Sequence, residues 1–465
     1  MRYFKHVLAI CAICTAHFAH AEQTATLRVD YLHSGNAKSE HYALDRVVIE
    51  PLPWSGNLKK KLDLSNRGVN LFEVRDKQSG ELLYSRGFST VFGEWQSTAE
   101  AAKLDRGFQE SVRFPKPERA VNLRILKRDE QNQFTPIWNV DIDPNAHDVV
   151  RTTAALKPIP IHVSGAPSDK VDLLIIGDGY TQSEQPKFKR DAQRLSRYLL
   201  SVSPFKERAT DFNVWALSVP TKHSGVSRPS TGQTHPSSLG TSYDIFGSER
   251  YVLTTDNRAL REIAQNAPYE FIEILVNNET YGGGGIFGQF STAAAKNDWA
   301  NYLFVHEFGH HFAALADEYY TSPVAYQTGA EIKQEPWEPN VTALKNPEQL
   351  KWKHHVKAGT ALPTTWPKET YENASRAYQK VRAELRKHNR PESEMSALFK
   401  KDLIESTQLF SKDPNYHSIG AFEGANYEAK GYYRSQMQCL MFDRSEQFCR
   451  VCLDAVNEII DLYSR

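Results

Sequence analysis

The feature that most constrains this chain is a change of hydrophobic pattern at Val171. Before it, short segments alternate apolar and polar residues: ATLRVDYLH, RVVIEPLP, NLFEVRD, ELLYSRGF, AVNLRILKR and PIWNVDID, separated by turn clusters such as PWSGN, DKQSGE and DPNAHD. A period of two over such short runs, without helical spacing, predicts half-buried strands and a β-sandwich over residues 22–155. After Val171, VDLLIIGDGY is apolar almost without interruption, as a strand buried on both faces requires. SEQPKFKRDAQRLSRYLLSV follows with apolar residues at helical spacing behind Ser183, a residue type suited to capping. FNVWALSVP and FIEILVNN read as two more strands, so residues 171–320 form an α/β unit. The Pro-rich stretch around residues 156–170 is the expected linker. The fold class is therefore α+β, an N-terminal β-sandwich followed by an α/β domain over 171–465.

Composition removes several functions. With 56 basic and 56 acidic residues and no local basic patch, the chain carries no field for a polyanion, so no nucleic-acid partner is expected. A mean hydropathy of -0.54 and the lack of an 18-residue apolar run exclude an internal membrane span. Residues 1–21, MRYFKHVLAICAICTAHFAHA, have a basic start, a short apolar stretch and a small-x-small end at Ala19-His20-Ala21. That is the layout of a secretory signal peptide cleaved near Ala21, which predicts a secreted or periplasmic protein. Its removal takes Cys11 and Cys14 and leaves Cys439, Cys449 and Cys452. Three thiols in an oxidising compartment suggest one disulfide and one free cysteine. The Cys449-Arg450-Val451-Cys452 spacing invites a redox or zinc-knuckle reading, against which stand the lack of a second CxxC and of a βαβ redox context. Residues 375–412 read as a charged helical pair broken near Pro391, a solvated face without chemistry.

The chemistry is carried by Val305-His306-Glu307-Phe308-Gly309-His310. Two histidines at i and i+4 share a helix face, so their imidazoles converge on one cation with Glu307 beside them. Zinc suits this donor set: two neutral imidazoles and a third protein ligand leave a position for water, whose proton Glu307 takes. The apolar approach Trp299-Ala300-Asn301-Tyr302-Leu303-Phe304-Val305 buries the other side of the helix, and His311, off the ligand face, is structural. In a straight helix Asp317 would lie about 16 Å along the axis from His306, so the chain must bend back. The metzincin pattern HExxHxxGxxH/D bends at its Gly. Here Ala313 stands at the Gly position, Ala316 at the ligand position, and Asp317 comes one place late. Asp317 is the favoured third ligand, with Glu318 its rival; the other of the two orients a ligand histidine or supports the turn.

LLIIGDGYT (173–181), ILVNNETYGGGG (274–285), VHEFGHHFAALADEY (305–319), GAFEGANYEAKGYYRSQMQCLM (420–441) and FCRVC (448–452) together resemble the IgA-peptidase family of secreted zinc metallopeptidases. The resemblance spans nearly the whole catalytic half, and the N-terminal region is similar to that family's accessory domain. It implies a metzincin-like zinc peptidase domain, Zn2+ as cofactor and a protein or glycoprotein substrate cut by Glu307-assisted attack of water. By the same resemblance Met441 is the Met-turn beneath the ligand histidines, or else an ordinary core residue. Cys439 beside it would pair with Cys449 or Cys452, tying the C-terminal helix to that floor.

Gly282 to Gly285 allow close backbone approach; Gly284 and Gly285 border IFGQF, which is either an exposed edge strand that aligns an extended substrate or a plain loop. Tyr432, Tyr433 and Arg434 are candidates for holding the oxyanion, or for core packing. Asp178 in GDGYT is first a turn-former. Two other functions compete: a non-catalytic glycan- or protein-binding surface protein with a structural zinc, and a zinc amidase or exopeptidase on small peptides. Against the first, structural zinc is closed by four protein ligands, often Cys, and no cysteine of the mature chain lies near the His helix in sequence. No residue pattern reads as an immunoglobulin-specific subsite, and the sequence carries no sign of oligomeric state.

Overall fold

The computed structural model describes residues 24–324 and 334–464; the signal peptide and its cleavage position near Ala21 lie outside them. The first half is β-rich. Strands β1 (Ala25–Asn36), β2 (Ser39–Pro53), β3 (Asn70–Asp76) and β4 (Leu82–Phe88) precede a short helix, α1 (Val91–Gln96). Strands β5 (Arg106–Pro115), β6 (Val121–Arg128), β7 (Phe134–Ile142) and β8 (Val150–Arg151) follow it. They form two four-stranded sheets, ordered β5-β1-β2-β8 and β4-β3-β6-β7. Leu27 and Val29 of one sheet and Phe72, Val74, Leu123 and Ile125 of the other share a single buried core. This is where the alternation in the sequence leads: one face of each strand turns inward.

The second half is built on a six-stranded sheet. Its strands are β9 (Ile159–His162), β10 (Val171–Asp178), β11 (Phe212–Ser218), β12 (Phe271–Val276), β13 (Gly283–Ile286) and β14 (Phe290–Ala294), in spatial order β13-β14-β12-β10-β11-β9. The four central strands are parallel, and β13 and β9 run antiparallel at the two edges. Every residue of β10 is buried, as its apolar run requires. Part of the expected linker is thus strand, because Ile159 and Ile161 pack on the core. Helices α2 (Gln185–Leu199), α3 (Asn257–Ala264) and α4 (Ala300–Ala313) flank the sheet. The turn entering α2 is capped by Thr181 with Glu184 rather than by Ser183, since only Thr181 stands three residues before an acidic partner.

IFGQF is not an edge strand. The edge is GGGI, β13, and Phe287 to Gln289 make the tight turn into β14, with Gly288 at φ 70°. Beyond α4 come a small sheet of β15 (Val341–Thr342), β16 (Phe422–Ala425) and β17 (Glu428–Arg434), and helices α5 (Lys368–Lys387), α6 (Glu392–Phe410) and α7 (Arg450–Tyr463). The helical pair is not solvated all round: Tyr378, Met395, Phe399 and Phe410 belong to the main core.

The two halves are joined by arginines of the first half, Arg67 buried and Arg113 partly so, that meet carbonyls of the second. Arg113 Nη1 donates to Tyr269 O at 2.9 Å, and Arg67 Nη1 donates to Ala313 O at 3.0 Å and Ala455 O at 2.9 Å. Ala313 is the last residue of α4, so a cation of the N-terminal half sits on the negative end of that helix. Among the described residues no helix is long and apolar enough to cross a membrane.

Candidate metal centre

Helix α4 presents two faces. Phe308 and Phe312 lie in the main core with Phe271 of β12, and Phe312 sits 4.6 Å from Phe271 between ring centroids. His311 shares this inner side: its Nδ1 lies 3.1 Å from Ile286 O, and its Nε2 accepts from Ile272 N at 3.1 Å. Burial pushes its pKa down to about 3, so it is a neutral tie between helix and sheet.

The opposite face carries His306 and His310. Nδ1 of His306 is 3.0 Å from Leu440 O, and Nδ1 of His310 meets Leu315 O. A carbonyl only accepts, so both Nδ1 atoms carry hydrogen and, in the neutral rings, both Nε2 atoms present lone pairs. Those Nε2 atoms are 3.2 Å apart, and Asp317 Oδ1 lies 3.1 Å from the first and 3.3 Å from the second. Asp317 Oδ1 is buried with no hydrogen-bond partner among the described residues. Oδ2 is held separately, accepting from Tyr427 Oη at 2.6 Å. Burial opposes charge on His310, but the facing Asp317 outweighs it and raises the pKa to about 9. Burial opposes charge on Asp317 too, and the two histidines hold its carboxyl well below the usual range. The cluster therefore calls for a positive charge at the centre, which a proton on His310 supplies and a metal ion can replace, and two imidazoles with a carboxylate are a donor set for zinc. The residues present fit a divalent metal.

The bend that brings Asp317 back occurs at Ala314, which adopts φ 56° and ψ 34°, while Ala313 remains helical. Ala314 N donates to His310 O at 3.1 Å and Leu315 N to Gly309 O at 3.3 Å, which satisfies carbonyls at the helix end. Turn and carboxylate are both displaced by one residue from the metzincin spacing, so their separation of three is kept. Glu318, the rival, faces the other way: Asn340 Nδ2 donates to its Oε1 at 3.0 Å, beside the cysteines. Cys439, Cys449 and Cys452 are all buried free thiols, which corrects the expected disulfide; Cys439 and Cys452 come within 3.7 Å, well beyond a bonded pair. Met441 packs beneath α4, its Sδ 3.1 Å from where a Cβ on Gly309 would stand.

The His pair opens onto a cavity of about 480 Å³. Glu307 lines it next to the edge strand β13, and a Cβ on Gly283 would come within 3.0 Å of Glu307 Oε1, one on Gly285 within 2.9 Å of His310 Cβ. Only glycine lets strand and helix approach so closely. Gly283 already exchanges backbone hydrogen bonds with Arg250 O and Val252 N. Antiparallel alternation turns the N–H and C=O of Gly285 outward in the same direction, on the cavity wall.

Tyr432, Tyr433 and Arg434 do not line this cavity. Tyr432 packs with Ala316, Val341 and Ala425, Tyr433 lies in register with Glu423 and Thr342, and Arg434 is fully buried over the Phe442 ring at 3.8 Å. Core and sheet packing take all three. The wall uses tyrosines that sequence reasoning passed over: Tyr319, whose Oη accepts from Arg250 Nη2 at 3.0 Å, and Tyr427 from the β16–β17 turn. It also takes Thr90 and Glu94 from the N-terminal half and Tyr378 from α5. Asp178 is a loop anchor, accepting from Ser237 Oγ, Leu239 N and Thr241 N.

A family model described as IgA Peptidase M64 matches residues 159–460, and one described as Peptidase M64 N-terminus matches residues 17–139. No curated protein matches the chain.

Proposed function

The chain belongs to the IgA Peptidase M64 family and is on that footing a metallopeptidase; we propose that it is a secreted, zinc-dependent endopeptidase of metzincin-like design. The observation that carries this reading is the convergence of His306 Nε2, His310 Nε2 and Asp317 Oδ1, with Glu307 beside them on the same cavity wall. A bound zinc ion supplies Lewis acidity, polarising a peptide carbonyl and acidifying water. Glu307 takes the proton of the attacking water on its carboxylate and returns it to the nitrogen of the leaving amine. Tyr319, its hydroxyl oxygen held by Arg250, supplies an O–H for the carbonyl oxygen as charge develops there. Gly285 pairs its free backbone edge with an extended substrate, which fixes the scissile bond against Glu307. Met441 floors the histidines from below α4. Tyr427 holds Asp317 by Oδ2 and so keeps Oδ1 aimed at the cation.

An extended-backbone reader cuts inside chains, which favours an endopeptidase over an amidase of small peptides. The leader at residues 1–21 supports export. The test is purified full chain on casein, with metal analysis and with mapping of new termini. Wild type should hold zinc and release internal fragments, and Glu307→Gln should keep the metal while kcat falls by ~10²–10⁴-fold. Unchanged cleavage by Glu307→Gln would remove the mechanism; trimming from chain ends alone would remove the endopeptidase reading.

A further inference from the structure

We propose that Glu318, Cys439, Cys449 and Cys452 form a second, closed metal site that holds a structural zinc ion. The four side chains come from three separate stretches, the segment after α4, the loop before α7 and the first turn of α7, and each is buried. Their donor atoms all lie within 4.8 Å of one another. A tetrahedral zinc with Zn–S near 2.3 Å and Zn–O near 2.1 Å has S···S edges of about 3.8 Å and S···O edges of about 3.6 Å. The observed edges are 3.7 Å for Cys439 to Cys452, 3.5 Å for Cys452 to Glu318 Oε1 and 3.8 Å for Cys449 to Glu318 Oε1.

The surroundings are those of ligating thiolates. Cys449 N donates to Cys439 Sγ at 3.2 Å, Met441 N lies 3.5 Å from the same sulfur, and Ser435 Oγ donates to Cys449 Sγ at 3.2 Å. Asn340 orients Glu318 through Oε1, as outer partners orient metal ligands. Glu318 Oε2 is buried without a partner among the described residues. Three sulfurs and one oxygen fill a tetrahedron, and burial leaves no open position, which marks a structural rather than a catalytic site. A disulfide would need two sulfurs to close from 3.7 Å to about 2.05 Å and would leave the third thiol and a buried carboxylate together.

The site clasps the floor of the first one. Glu318 N donates to Met441 O at 2.9 Å, and Leu440 O holds Nδ1 of His306. A metal on Cys439 and Glu318 therefore fixes both the Asp317 segment and the carbonyl that orients His306.

The test uses the exported wild type, with residues 1–21 removed, and the His306→Gln/His310→Gln double variant, each also produced with cobalt in the growth medium. Two zinc ions per wild-type chain are expected and one per double variant. The cobalt form of the double variant should show thiolate-to-metal charge transfer in the near ultraviolet, a band that the first site, having no sulfur, cannot produce. Denatured protein cleaved of residues 1–21, and with them of Cys11 and Cys14, should give three alkylated cysteines at the mass of the fully reduced chain. A chain two hydrogens lighter with one alkylatable cysteine, or a folded double variant without metal and without charge transfer, overturns the proposal. Neither result bears on whether His306, His310 and Asp317 support peptidase activity.

Discussion

Asp317 and Glu318 share one peptide bond, yet their carboxylates lie in two different side-chain clusters. Asp317 meets two imidazoles at the wall of a cavity, with three protein donors and room for a substrate group. Glu318 meets three thiols in the core, with four protein donors, all of them buried. Asp317 O accepts from Asn426 N while Glu318 N donates to Met441 O, so the two neighbours are tied to different segments and their side chains join different clusters. Number and softness of donors then separate the roles: open N/N/O sites leave chemistry to be done, and closed sulfur-rich ones contribute folding energy.

Exposure to a chelator should separate the two sites most sharply. Dialysis against a strong chelator at neutral pH is expected to abolish cleavage of casein completely while one metal stays in the folded chain. Loss of both metals at the same rate, followed by metal assay and circular dichroism, would break the distinction between open and closed sites. Next in size is the exchange of the two carboxylates for amides. Asp317→Asn should lower kcat/KM by ~10³-fold or more, because the cation contributes several kcal/mol to the reaction, with little change in Tm. Glu318→Gln should weigh the other way, costing about 1–3 kcal/mol of stability in denaturant titration while activity per folded molecule falls far less than in Asp317→Asn. Equal effects of both variants on activity would merge the sites. Tyr427→Phe comes third: it removes the hydrogen bond to Asp317 Oδ2 and should weaken metal affinity at the first site by ~10–100-fold. Retention of wild-type affinity in a competitive chelator titration would show that Tyr427 does not position Asp317.

What the sequence discloses follows from how local each interaction is. His306, Glu307 and His310 share one helix turn, so their common face is legible from spacing alone, and the strands of both halves are legible from periodicity. Asp317 could be preferred over Glu318 but not placed, since the direction of a carboxylate after a bend depends on the turn. The cysteine cluster was opaque because Glu318 reaches Cys449 across 131 residues, and CxxC without a second pair looked incomplete. The member without a signal was the carboxylate, since Cys439 stands only 10 residues before Cys449. Tyr432 and Tyr433 drew notice as an aromatic pair, but β17 turns them into sheet and core packing, while Tyr427 one turn earlier reaches the cavity. Thr90 and Glu94 carry no chemical signature in the sequence; only the packing of the two halves puts them on the wall.

The smallest expected effect tests the bend that separates the two carboxylates. Ala314 takes a left-handed conformation, which costs a non-glycine residue roughly 1–2 kcal/mol. Glycine there removes that strain but loses a buried methyl, worth about 0.8 kcal/mol, and gains unfolded-state entropy of about 0.4–1 kcal/mol. The terms nearly cancel, so Ala314→Gly should leave stability within about 1 kcal/mol of wild type. Ala313 is still helical, and Ala313→Gly has no strain to relieve, so it should be less stable than Ala314→Gly by about 1 kcal/mol. Denaturant midpoints of the two variants at equal slope give the difference directly. If the order were reversed, the chain would bend at residue 313, where the metzincin spacing has its Gly, and Ala316 rather than Asp317 would occupy the ligand position. Because alanine offers no donor, that outcome would leave the His pair without its third partner, so the sign of a difference near 1 kcal/mol bears on the whole division between Asp317 and Glu318.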